Sequence, residues 1–123
     1  MILHITTHKD WENAKLEGEF STLSLSSEGF IHCSTLKQTV ETANIFFKGQ
    51  DGFALLCIDE NKLKSECKYE DPAGGGNHDQ TPGKLFPHIY GPINISAVIK
   101  VVDFPRNESG FFTLPEEIIH IHD

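Results

Sequence analysis

At 123 residues the chain is close to the commonest size of one domain, and a hydrophobic fraction of 38% with nine Phe suffices for one buried core. Eighteen Asp and Glu outweigh ten Lys and Arg, and the formal charge of −8 with no basic run excludes an extended nucleic-acid interface. The three cysteines, Cys33, Cys57 and Cys67, form no C-x-x-C pair, and the amino terminus has neither a basic leader nor an apolar span, so the expectation is a cytoplasmic protein with reduced core thiols and no membrane contact.

Leu3 and Ile5 alternate with His4 and Thr6, the pattern of a strand with one apolar and one polar face. Thr7-x-x-Asp10 opens a helix that runs through Trp11 and Ala14 and closes at Gly18. The serine-rich segment 19–28 has no helical period and reads as a loop or irregular edge. In Phe30–Ser34, alternation sends Ile31 and Cys33 to the core and Phe30, His32 and Ser34 to the other face. Ser34 and Thr35 are N-cap residues and Thr35-x-x-Gln38 matches a capping box, so backbone N–H groups beside His32 make a corner suited to phosphate.

Leu36, Val40, Ala43 and Phe47 predict a helix over 35–48, with Gly49 as its cap. Phe53–Ile58 is apolar without alternation, as in a central strand covered on both faces. Cys67–Glu70 reads as a further strand. The stretch 71–84, rich in Gly and other turn formers, reads as a mobile lid or disordered loop, and its glycines match no phosphate-loop pattern. Leu85–Tyr90 is extended, with Pro87 placing it at an edge or bend, and Ala97–Phe104 is a β-branched strand. Residues 105–123 form an extension packed on the same domain. Strands and helices mix without a β-α-β rhythm, so the expected class is α+β.

Leu3-His4-Ile5, Ile31-His32-Cys33 and Pro87-His88-Ile89 share one layout, in which the histidine takes the face opposite its apolar neighbours. If the three strands adjoin, His4, His32 and His88 converge on one cleft, with Thr6, Ser34 and Tyr90 two residues further along. Imidazoles there can move protons, hold ribose hydroxyls or phosphates, or bind a metal. A three-histidine zinc site is the weaker alternative, because the spacing carries no ligand signature, and no metal ligands are assigned. There is no G-x-S-x-G elbow, and a core-facing Cys33 argues against a thiol nucleophile. His8 and His78 read as surface residues, and His120-x-His122 as a solvated chain end.

Ile2–Thr7, Trp11, Glu28–Ser34, Gln38, Ala43-Asn44-x-Phe46-Phe47-x-Gly49 and Phe86–Ile93 together resemble the bacterial domain-of-unknown-function 952 family, over residues 1 to about 104. The resemblance implies an ADP-ribosyltransferase-like α+β domain with two small split sheets and two main helices, built around a cleft for an NAD-like dinucleotide. It implies a histidine on an early strand, matched by His4, and a serine or tyrosine at a strand-helix corner, matched by Ser34. The late position where that fold carries its catalytic glutamate reads Phe86-Pro87-His88-Ile89-Tyr90 and holds no acid. Glu70 and Glu28 are the carboxylates at hand, each with the character of a surface charge. The expected ligand is therefore a nucleotide-like or phosphorylated small molecule: His4 on ribose hydroxyls, His32 and Ser34 on phosphate, and His88, Tyr90 and Glu70 at the reacting end, with transferase or hydrolase chemistry. A binding or interaction module without chemistry is the rival.

Overall fold

A computed structural model describes residues 1–74 and 85–119. The expectations for most of the 71–84 loop, for His78 and for His120-x-His122 lie outside the described residues.

The strand β1 (Ile2–Thr7) pairs antiparallel with β4 (Phe53–Ile58), from Ile2 opposite Ile58 to Thr7 opposite Phe53. On its other side β4 pairs with β8 (Val98–Asp103), so the unbroken apolar run is the central strand and all six of its residues are buried. One face of β4, with Leu56 and Ile58, packs on Ile2, Trp11, Ile31 and Ile89. The other, with Phe53, Leu55 and Cys57, packs on Leu3, Phe104, Phe112 and Ile118. Because both faces are covered, the polar side of β1 is buried too: His4 and Thr6 are only 8% and 6% exposed, where alternation alone predicts an open polar face.

The helix α1 (His8–Glu17) starts at Thr7, whose hydroxyl accepts from the Asp10 N–H at 3.1 Å, and ends at Gly18 with φ 90°, a left-handed turn that glycine adopts without strain. Short pieces then occupy the region read as a loop or irregular edge: β2 (Glu19–Phe20) and α2 (Leu23–Ser27). A single helical turn carries too few residues to show a period, which is why the sequence pattern passes over it. A second antiparallel sheet has the order β3 (Ile31–His32), β6 (Phe86–Ile89), β5 (Cys67–Glu70), and β2 pairs with β7 (Ile93–Asn94). Leu3 and Ser34 exchange two backbone hydrogen bonds of 2.8 Å, tying β1 to the chain just after β3.

Pro87 lies in the middle strand of this second sheet, not at an edge. Its carbonyl accepts from the Cys33 N–H at 3.0 Å, so its nitrogen faces the same side, where β3 has already ended and no ladder donor is required. The longer helix α3 (Leu36–Phe46) follows, and α4 (Glu116–Ile119) closes the described chain. Asn44 of α3 holds the segment after β8 by both its amide atoms, accepting from Phe112 N at 2.7 Å and donating to Phe112 O at 3.1 Å. The class is α+β, and the described residues form antiparallel sheets, two helices of ten and eleven residues, and two short ones.

Candidate functional site

A cavity of about 1010 Å³ opens between β1, the β3 corner, α3 and the end of β5. His4, His32, Ser34 and His88 all line it. His4 projects from β1, and its Nδ1–H donates to the backbone carbonyl of His32 at 2.6 Å. The ring packs edge-on against Phe20, with centroids 5.2 Å apart. Burial disfavours its charged form and pulls its pKa from 6.5 down to about 4, against a smaller opposing effect of the His32 carbonyl. His4 is thus a neutral imidazole whose Nε2 carries the lone pair.

His88 is fully buried. Its Nδ1 lies 3.0 Å from Glu70 Oε1, and Tyr90 donates its hydroxyl to the same carboxylate oxygen at 2.5 Å. Phe30 stacks on the His88 ring, 4.2 Å between centroids and 19° between planes, and His32 meets it edge-on at 5.2 Å. Burial lowers the pKa of His88 despite the hydrogen bond to Glu70. Burial alone would raise Glu70, but the hydrogen bonds from Tyr90 and His88 outweigh it and hold the carboxyl below its ordinary value. The same bond, seen from the phenol, pushes Tyr90 up to about 12. Among the described residues His88 Nε2 is buried without a hydrogen-bond partner.

His32 is exposed, and its Nε2 pairs with Glu28 at 3.0 Å, so Glu28 is the surface charge it was expected to be. Glu70 is not: it is 6% exposed and forms the floor beneath His88. Thr6 sits further along β1, opposite Ala54, and does not line the cavity. Tyr90 does not line the cavity and meets the site through Glu70 and the ring of Phe30, 5.4 Å away between centroids. Ser34 is 3% exposed and its hydroxyl is shared with Thr39 at 2.9 Å.

The expected phosphate corner is largely taken by the protein's own groups. Ser34 N–H donates to Leu3 O, Thr35 N–H donates to the Gln38 side chain at 2.9 Å, and Gln38 N–H to Thr35 O. No described lining residue is Lys or Arg, whereas Glu41 and Asp71 are both present. Nor does any group of three or more His, Cys, Asp and Glu among the described residues stand where it could hold a metal ion, so the three-histidine zinc alternative finds no ligand cluster there.

Pattern reading overlooked two contributors. Gln38, Glu41 and Ile45 recur at helical spacing and put one face of α3 along the cavity, a signal masked by the stronger apolar series on its buried side. Gly74 lets the chain after β5 press on Phe30: a Cβ there would lie 2.7 Å from Phe30 Cε1, and its φ is +85°.

Antiparallel sheets beside a histidine-lined cavity define a small α+β protein. The chain belongs to the family described as Protein of unknown function (DUF952), whose sequence profile matches residues 5–101. It is similar to CC0527 from Caulobacter crescentus. The crystal structure of that protein aligns with a TM-score of 0.79 at 28% identity, covering 96% of this chain and 97% of that one. Its solution NMR structure aligns at 0.69 with 30% identity, covering 98% and 95%. No curated protein matches the chain. Among the described residues no helix is long and apolar enough to cross a membrane.

Proposed function

We propose that the protein binds a nucleotide-like or otherwise phosphorylated small molecule in the cavity, in a cytoplasmic setting and with transferase or hydrolase chemistry. The observation that carries this reading is the convergence of His4, His32 and His88 on one cavity large enough for such a ligand, with aromatic walls at Phe46, Phe47 and Phe86. The ADP-ribosyltransferase-like reading of the two small sheets belongs to the same proposal, and an NAD-like dinucleotide is the cofactor it implies. In that reading His88 is the group able to take up a proton, Glu70 and Tyr90 hold it in place, and His4 orients the ligand. Extended nucleic acid and membrane are not partners.

A binding module without chemistry is a second reading, favoured by Ile45 and Phe46, which line the cavity yet remain 65% and 67% exposed. Thermal shift with AMP, ATP, NAD and divalent cations tests the first part, and chromatography of each incubated nucleotide tests the second. A ligand at a hundred times its Kd adds about 2.7 kcal/mol, a rise in Tm on the order of 10 °C. A rise with no product supports the binding module, and no rise with any nucleotide refutes the proposal.

A further inference from the structure

We propose that the buried part of the ligand is an uncharged polyol, such as the vicinal diol of a ribose, read by lone pairs on His88 and His4, and that phosphate stays outside this pocket. This rests on the reading above that the cavity holds a nucleotide-like molecule, and it states which end goes in.

A carboxylate can only accept, so the 3.0 Å contact between His88 and Glu70 places the single ring proton on Nδ1. Nε2 then bears a lone pair, and it is buried without a partner among the described residues in a side chain that lines the cavity. Buried acceptors are almost always satisfied in folded proteins, so one left open at a cavity wall calls for a donor from the ligand. His4 repeats the arrangement, since its Nδ1 donates to the His32 carbonyl at 2.6 Å and leaves Nε2 as an acceptor. Two acceptor nitrogens, the Glu70 carboxylate behind one of them, and Glu41 and Asp71 on the lining would all repel an anionic oxygen. A neutral hydroxyl meets none of that repulsion and supplies the missing donor. The stacking of Phe30 on His88, together with the hydrogen bonds of Glu70, fixes the direction of the lone pair.

Calorimetric titration at pH 7.5 with adenosine, AMP, 2′,3′-dideoxyadenosine and inorganic phosphate separates the cases. Adenosine and AMP should bind alike, dideoxyadenosine about tenfold or more weakly, and phosphate alone not at all, because a site built to bond a hydroxyl rejects the analogue lacking it. His88→Phe keeps a stacked ring without the acceptor and should bring adenosine down to the dideoxy level. Long-range proton–nitrogen NMR of the unliganded protein should find the His88 proton on Nδ1, which decides the tautomer even if that variant fails to fold. A proton on Nε2, or equal binding of adenosine by His88→Phe and the parent, overturns the inference. If AMP binds and adenosine does not, the nucleotide reading survives and this inference falls. If none of the four binds, this inference falls, and the nucleotide reading falls with it when ATP and NAD also give no thermal shift.

Discussion

Acidification from pH 7.5 to 4.5 should cost the fold about 2 to 3 kcal/mol through His4 alone. Burial lowers the pKa of this ring from 6.5 to about 4 in the folded state. As pH falls through 6.5 the unfolded chain takes up a proton that the folded chain refuses until about 4, so the stability is complete above 6.5 and drains away below it. The full shift is worth roughly 3.4 kcal/mol, at about 1.36 kcal/mol per unit, and most of it is spent by pH 4.5. His4→Asn retains a donor where Nδ1 stands, keeps the bond to the His32 carbonyl, and cannot titrate. It should be less stable at pH 7.5 by roughly 1 to 3 kcal/mol, having lost the ring that packs on Phe20, yet flatter with pH than the parent. His88, whose burial also keeps it neutral, contributes equally to both proteins, and Glu70, held below its ordinary value, enters only at lower pH. Urea unfolding followed by circular dichroism at pH 7.5, 6.5, 5.5 and 4.5 gives the two slopes. Equal slopes for parent and variant would refute the assignment of a neutral, buried His4.

Cys33→Ser should destabilise by roughly 1 to 3 kcal/mol, since it places a hydroxyl among Ile31, Ile89 and their neighbours, while His32→Ala should lose no more than about 1 kcal/mol with its exposed Glu28 pair. Urea midpoints of the two variants check this, and the opposite order would mean that the facing of this strand is inverted. Glu70→Gln should bring the Tyr90 phenol down from about 12, because the bond to Glu70 is the largest cause of its elevation. Ultraviolet titration of the phenolate band reads this directly, and an unmoved curve would show that the phenol does not rest on Glu70.

Strand alternation made the facing of His32 and Cys33 legible, because a period of two is a local property of the chain. Glu70 was not legible. It precedes a turn-rich segment and so reads as a surface acid; its burial comes from the register of β5 on β6, where Lys68 stands opposite His88 and Glu70 opposite Phe86. That pairing makes Glu70 a diagonal neighbour of His88 on one face of the sheet, close enough for a hydrogen bond. Register depends on two segments at once, and neither one specifies it alone. Pro87 failed as an edge marker for a related reason: what a proline lacks matters only on the side its nitrogen faces, and there β3 stops at His32. The phosphate corner is narrower than its sequence suggests, because the capping box that marks a helix start also takes the Thr35 and Gln38 N–H groups.

The two buried imidazoles are each anchored at Nδ1 by a part of the fold that has other reasons to be where it is. For His4 the anchor is a strand carbonyl, held in place by the backbone bridge between Leu3 and Ser34. For His88 it is a carboxylate that also takes the hydroxyl of Tyr90. Anchoring from behind leaves both Nε2 atoms as acceptors without any loop having to close, and an acceptor buried without a partner costs about 1 to 3 kcal/mol in the empty protein. That cost is easily offset by two core clusters on either side of β4. His88→Phe removes this unfilled acceptor but also the donor to buried Glu70, two effects of about 1 to 3 kcal/mol each and of opposite sign, so urea unfolding of the unliganded variant should stay within about 2 kcal/mol of the parent while the recognition proposed above is lost.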